Sequence, residues 1–218
     1  MIKVASLIFI ITLFSACSFK KPKNEWQHSS TNSFSVYSEN FLKDNNLIAQ
    51  NSLKRSISYA KKSADLETLS KIYLGECALK ISVGLEDKCQ KYLNIKSLVK
   101  SVELDAYYNF LSLNVKEEEI RLLPEQYKEF AEYVVKNDFN KASEAILEIE
   151  KISSKLIAAA LIKDKLTNVV REKVLYEASF YGYKKAVLFW LEELKRYTTD
   201  TDEILKIEKK LNILRTKE

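Results

Sequence analysis

From about Ser38 to the end of the chain, apolar residues recur every three or four positions with Lys and Glu between them. That is the spacing of one buried face on a helix of 3.6 residues per turn. It predicts helices over 39–61, 65–83, 86–96, 101–113, 117–122, 124–137, 140–163, 168–181, 184–197 and 201–214. Pro124 suits the first turn of its helix, where the N–H it lacks has no partner to lose. Asp65 and Thr167 stand where N-caps or first-turn residues belong, and Asn114, Asn137 and Gly182 supply turns. Three glycines and two prolines in 218 residues leave few strand turns. The expected fold class is all-α, with one helical domain over 38–218.

The start of the chain departs from this pattern. Behind Lys3, the run Val4–Phe14 is uncharged and apolar. A membrane-crossing helix needs roughly 20 such residues, whereas a signal-peptide core needs about 7–15 before small residues. Leu13-Phe14-Ser15-Ala16-Cys17 resembles a bacterial lipobox, with Phe14 where Leu is usual. The resemblance implies a signal peptide over 1–16, cleavage before Cys17, a diacylglyceryl group on its thiol and an acylated new amino end. The protein is then a lipoprotein held on the bilayer through acylated Cys17, each buried CH₂ contributing about 0.8 kcal/mol. Ser18, in place of an inner-membrane Asp, implies the outer membrane and a periplasm-facing domain. The other reading is an ordinary signal peptide with a cysteine near its cut. Ser18–Ser35 is polar and rich in Ser, Lys and Asn, so 17–37 reads as the lipidated cysteine and a flexible tether. Trp26, Phe34 and Tyr37 are then expected to dock onto the first helices.

With Cys17 assigned to lipid, Cys77 and Cys89 remain as an even pair in a compartment that permits disulfides. Leu66, Leu69, Tyr73 and Cys77 share one helix face, and Leu85, Cys89 and Leu93 share another, with Gly84 between. The expectation is an antiparallel helical hairpin stapled by a Cys77–Cys89 disulfide, stabilised by roughly 3 kcal/mol for a loop of about 13 residues. The alternative is two buried free thiols.

A degenerate repeat runs through the helices. "NSLKRS" (51–56), "NDFNKA" (137–142) and "YGYKKA" (181–186) share a turn-prone pair, a bulky apolar residue, then a basic and a small one. Phe139 aligns with Tyr183 and Ala142 with Ala186, 44 residues apart, and Tyr133 precedes the middle unit. This resembles the second-helix start of a tetratricopeptide (TPR) repeat, and it implies a TPR-like α-solenoid. An irregular antiparallel helical bundle fits the same helices.

Chemistry is sparse. The net charge is +5, about +4 without Lys3, and both signs are interspersed, which argues against a nucleic-acid partner. The one histidine, His28, lies in the expected tether, so neither a nucleophile–histidine pair nor a metal site is expected, and no cofactor is implied. Glu117–Glu119 and Glu192–Glu193 read as exposed helix faces beside Lys or Arg, and no Glu-Ser pair of the lytic-transglycosylase kind occurs. The chain is therefore not expected to be an enzyme. The aromatic-rich "YEASFYGYKKAVLFW" offers Tyr176, Phe180, Tyr183 and Trp190 as the lining of a partner-binding groove, with Lys184 and Lys185 at its rim. The same aromatics could instead pack between helices. The leading expectation is a scaffold or envelope-assembly accessory for an envelope protein partner. Alternatives are a lipid or apolar-ligand carrier, suggested by "KLIAAALIKDKL" (155–166), and an unrecognised cell-envelope enzyme.

Overall fold

The computed structural model describes residues 24–216. Cys17, the signal run and the first part of the expected tether lie outside the described residues. Within them the chain forms twelve α-helices, two 3₁₀ turns and no strand, so the fold is all-α. In order the helices are α1 Glu25–Leu42, α2 Asn46–Ala60, α3 Leu66–Ile81, α4 Gln90–Leu93, α5 Val102–Leu111 and α6 Glu117–Ile120. There follow α7 Glu125–Val135, α8 Phe139–Glu148, α9 Ile152–Leu161, α10 Asn168–Phe180, α11 Lys184–Tyr197 and α12 Thr201–Arg215.

The first correction is α1. The span expected to be a tether up to Tyr37 is helical from Glu25, behind an Asn24 cap whose side chain accepts the Gln27 N–H at 3.0 Å. Trp26, Phe34 and Tyr37 are thus part of the first helix. Its contact with α2 is made by small residues: α2 buries Ala49, Ser52, Ser56 and Ala60. Ser30 Oγ donates to the Ser56 carbonyl at 2.9 Å, and Ser56 Oγ donates to the Ser30 carbonyl at 2.8 Å. Further along α1, the Phe34 ring occupies the space where a Cβ on Gly75 would stand. A serine-rich, solvent-like sequence therefore forms a closely packed interface.

Helix pairing follows one local rule. The connections 43–45, 136–138 and 181–183 are each three residues long, and the middle residue is left-handed: Asp44 (φ 67°), Asn137 (φ 56°) and Gly182 (φ 66°). In each, its N–H bonds the carbonyl three back, and the next N–H bonds the carbonyl five back. That is the double bond of a Schellman ending. The expected single helix 39–61 is therefore two, broken at Asp44 with neither Gly nor Pro to announce it. The repeat register also shifts. Asn137 and Gly182 are 45 residues apart, and "NSLKRS" lies inside α2, so the turn counterpart in the first unit is Asp44-Asn45-Asn46. The expected helix 140–163 divides as well, because Ile149 and Lys151 adopt extended backbone between α8 and α9.

The disulfide is present, with Cys77 and Cys89 Cα atoms 5.2 Å apart, but the helical hairpin around it is not. Asp87 Oδ1 accepts the Cys89 N–H at 2.7 Å, Cys89 is left-handed (φ 53°), and helix resumes only for α4. The side-chain bond offers the backbone an alternative to helix. The cross-link therefore ties α3 to an irregular segment. Beside it, buried Glu76 pairs with Lys80 at 3.0 Å and Lys91 at 2.7 Å, and Lys80 also reaches Asp87 at 2.9 Å.

The hairpins close on one another. Central α3 packs against α1, α2, α5 and α9, and α9 packs against α7, α8 and α10. The first helix also meets α11, which an open superhelix of successive repeats does not allow. The architecture is an irregular antiparallel bundle.

Candidate partner-binding surface

α10 divides its residues between two opposite faces. Thr167 caps it by accepting the Val170 N–H, and Val170, Arg171, Val174 and Ala178 turn inward. At helical spacing on the other side stand Val169, Tyr176 and Phe180, with Tyr176 71 % and Phe180 76 % exposed. The turn adds Tyr181, 47 % exposed and edge-on to Phe180 at 5.4 Å. These aromatics form an exposed apolar surface at the α10–α11 turn. Tyr181, the residue that caps the end of α10 just after Phe180, lies outside the expected set.

Tyr183 and Trp190 do not line a groove. Tyr183 is buried, and its hydroxyl donates to Glu39 Oε2 at 2.8 Å. Burial, and then the neighbouring Glu39 carboxylate, push that phenol's pKa well up. Trp190 is fully buried against Phe189 at 5.0 Å, with its indole N–H unpartnered. Lys185 is a structural link, pairing with Asp44 at 2.9 Å, bonding Asn46 and lying over the Phe41 ring. Burial raises the Asp44 pKa, but the hydrogen bonds from Lys185 and Asn46 outweigh it and hold the carboxyl below its ordinary range. Lys184 is half-buried at the start of α11. Of the six expected residues, Tyr176 and Phe180 are brought together at the surface, and Tyr183, Lys185 and Trp190 hold the scaffold beneath them.

Two clefts among the described residues are lined by other side chains. One of about 300 Å³ runs beside α11, lined by Val83, Leu85, Leu188 and Phe189, with the ion-paired Lys185 and Arg215 at its edge. Its floor depends on Gly84 (φ 73°), where an added Cβ would collide with the Phe189 ring. The other, about 420 Å³, lies between α6 and α7 and includes Glu117, Arg121, Lys128 and Glu132.

The carboxylate pairs do not act as pairs. Glu119 folds back to accept the Lys116 N–H at 2.9 Å and the Asn109 amide at 2.8 Å, while Glu117 lines the cleft. Glu192 binds Arg215 on the surface, but Glu193, expected to be exposed, is buried. It lies 3.3 Å from Arg196 and 3.7 Å from Lys163, with one oxygen unpartnered. The segment 155–166, read as room for a ligand, instead fills the centre: Lys155 to Ala160 are all buried, and the Lys155 ammonium is satisfied by Glu177 at 2.6 Å. Cys77, Asp87 and Cys89 bring three metal-ligating residues together, but the disulfide already commits both sulfurs. No helix among the described residues is long and apolar enough to cross a membrane.

Comparison of the chain with protein families, curated proteins and solved structures finds no match.

Proposed function

We propose that this protein is a lipid-anchored, periplasm-facing scaffold that binds an envelope protein partner through the aromatic surface on α10, without catalysing a reaction. The observation that carries the proposal is the joint exposure of Tyr176, Phe180 and Tyr181 on a helix whose other face is locked into the core. A buried scaffold under exposed aromatics supports a preformed surface, and aromatic side chains supply most of the contact energy where interfaces concentrate it. The lipobox-like stretch ending at Cys17 supports the anchor, which lies on the outer membrane in this reading.

The experiment is a crosslinking pull-down of the lipidated protein from its native membrane, compared with the Tyr176→Ser/Phe180→Ser variant. The expected result is loss of a discrete envelope partner with an unchanged melting temperature. The same partner recovered at the same yield from the variant overturns the reading. Fatty-acid labelling of wild type against Cys17→Ala tests the anchor separately, and equal labelling refutes it.

A further inference from the structure

α2 turns an unusual face to solvent. Leu47 (75 % exposed) and Ile48 (50 % exposed) stand at its start, and Lys54 and Arg55 follow, with Lys61 and Lys62 just past its last turn. At about 100° per residue these six fall within an arc of about 140°, opposite the buried Ala49, Ser52, Ser56 and Ala60. No Asp or Glu occurs between Asn45 and Ala64, the longest carboxylate-free run among the described residues. Lys62 lies over the Tyr59 ring at 4.7 Å, so a nearby aromatic, not a carboxylate, holds its ammonium.

The chain enters beside this face. Ser30 and Ser56 bond each other across the α1–α2 contact, and the Gln27 amide reaches Asp65 at 3.5 Å. The amino end of α1 therefore lies next to the Lys61–Lys62 end of α2. Cys17 is joined to Asn24 through a sequence that contains Lys20, Lys21 and Lys23 and no acid. Seven residue steps reach at most about 25 Å, which keeps that end of α2 close to any bilayer holding Cys17.

We infer that the outer face of α2 lies on the anionic headgroups of the bilayer that anchors the protein. Leu47 and Ile48 enter the headgroup boundary, and Lys54, Arg55, Lys61 and Lys62 meet lipid phosphates, the arrangement of an interfacial basic amphipathic helix. The inference rests on the anchored reading, and it shares no residue with the aromatic surface on α10.

The test removes the anchor. Every contact described above lies within 24–216, so a chain of residues 18–218 retains the fold, which its helical circular dichroism checks. Flotation with vesicles of phosphatidylglycerol and phosphatidylethanolamine is compared with flotation on phosphatidylcholine alone. Binding is expected to the anionic vesicles only, weakening as salt rises. Lys54→Glu/Lys61→Glu/Lys62→Glu is expected to weaken it by about tenfold or more, and Leu47→Asn/Ile48→Asn by a smaller factor. Lys206→Glu/Lys209→Glu/Lys210→Glu on α12, at three exposed lysines, serves as the charge-matched control and leaves binding unchanged. No binding to anionic vesicles, equal binding to both kinds, or an equal loss in the α12 control overturns the inference. Binding with these dependences, alongside failed labelling at Cys17, keeps the α2 surface and removes the anchor.

Discussion

The α1/α2 hairpin and the α7/α8 and α10/α11 hairpins are built on the same three-residue turn, with the same left-handed middle residue and the same pair of backbone bonds. They differ in what lets the helices approach. In the C-terminal half the close contacts are alanines, with Ala142, Ala145, Ala178 and Ala186 buried. In the N-terminal half they are mainly serines, with Ser30, Ser52, Ser56 and Ser70 fully buried. The geometry demands a small side chain, and a hydroxyl serves where it finds an acceptor across the contact. Ser30 and Ser56 do so, whereas Ser52 and Ser70 have unpartnered hydroxyls. One architecture thus has a half whose close contacts are mainly alanines, with Ser143 also buried, and a half in which they are mainly serines.

The comparison breaks most readily in its alanine-packed half. Trp190→Ala removes the largest fully buried side chain of α11 and is expected to lower stability by about 3–5 kcal/mol, read as a fall in the midpoint of chemical denaturation. On the other side, Cys77→Ser/Cys89→Ser is expected to cost about 3 kcal/mol. Hydrogen exchange should accelerate first in 82–101, the irregular segment that the disulfide ties to α3.

The serine contact itself yields smaller effects of opposite sign. Ser56→Ala deletes a bond made across the interface and is expected to destabilise by about 1 kcal/mol. Ser52→Ala deletes an unpaired buried hydroxyl and is expected to raise the denaturation midpoint slightly. Equal costs for the two would show that the hydroxyl pairing contributes nothing. The smallest effect concerns the link between the halves. Asp44 has a lowered pKa because of Lys185, so its stabilisation is complete above the unfolded aspartate value of about 3.9 and is lost as pH falls through the lower folded value. Asp44→Asn should therefore lower the neutral plateau of the stability–pH curve slightly and flatten its acid limb, the two proteins converging below the folded value.

The same contrast explains what the sequence made legible. Leu, Val and Ala at helical spacing placed α10, α11 and α12 to within a residue or so. α1 was hidden because its contact face includes serine, a residue equally common in linkers. The breaks at Asp44 and 149–151 carry neither Gly nor Pro. Cys77–Cys89 pairing was readable from the count of cysteines, but Asp87 redirected the backbone by bonding the Cys89 N–H. In the aromatic segment, Trp190 lies four residues after the buried Ala186 and shares its face. Tyr176 and Phe180 stand opposite Val170, Val174 and Ala178. The turn at Gly182 resets that helical phase, so Tyr183 falls inward although it follows the exposed Phe180 at a helix-like interval.

Site-specific photocrosslinking in the native membrane compares two almost equally exposed apolar positions, Phe180 (76 %) on α10 and Ile213 (74 %) on α12. A photoreactive phenylalanine at 180 is predicted to give one discrete protein adduct, and the same group at 213 none. No adduct at 180, or the same adducts at both positions, would contradict the assignment of the α10 aromatic surface as the place where a partner binds.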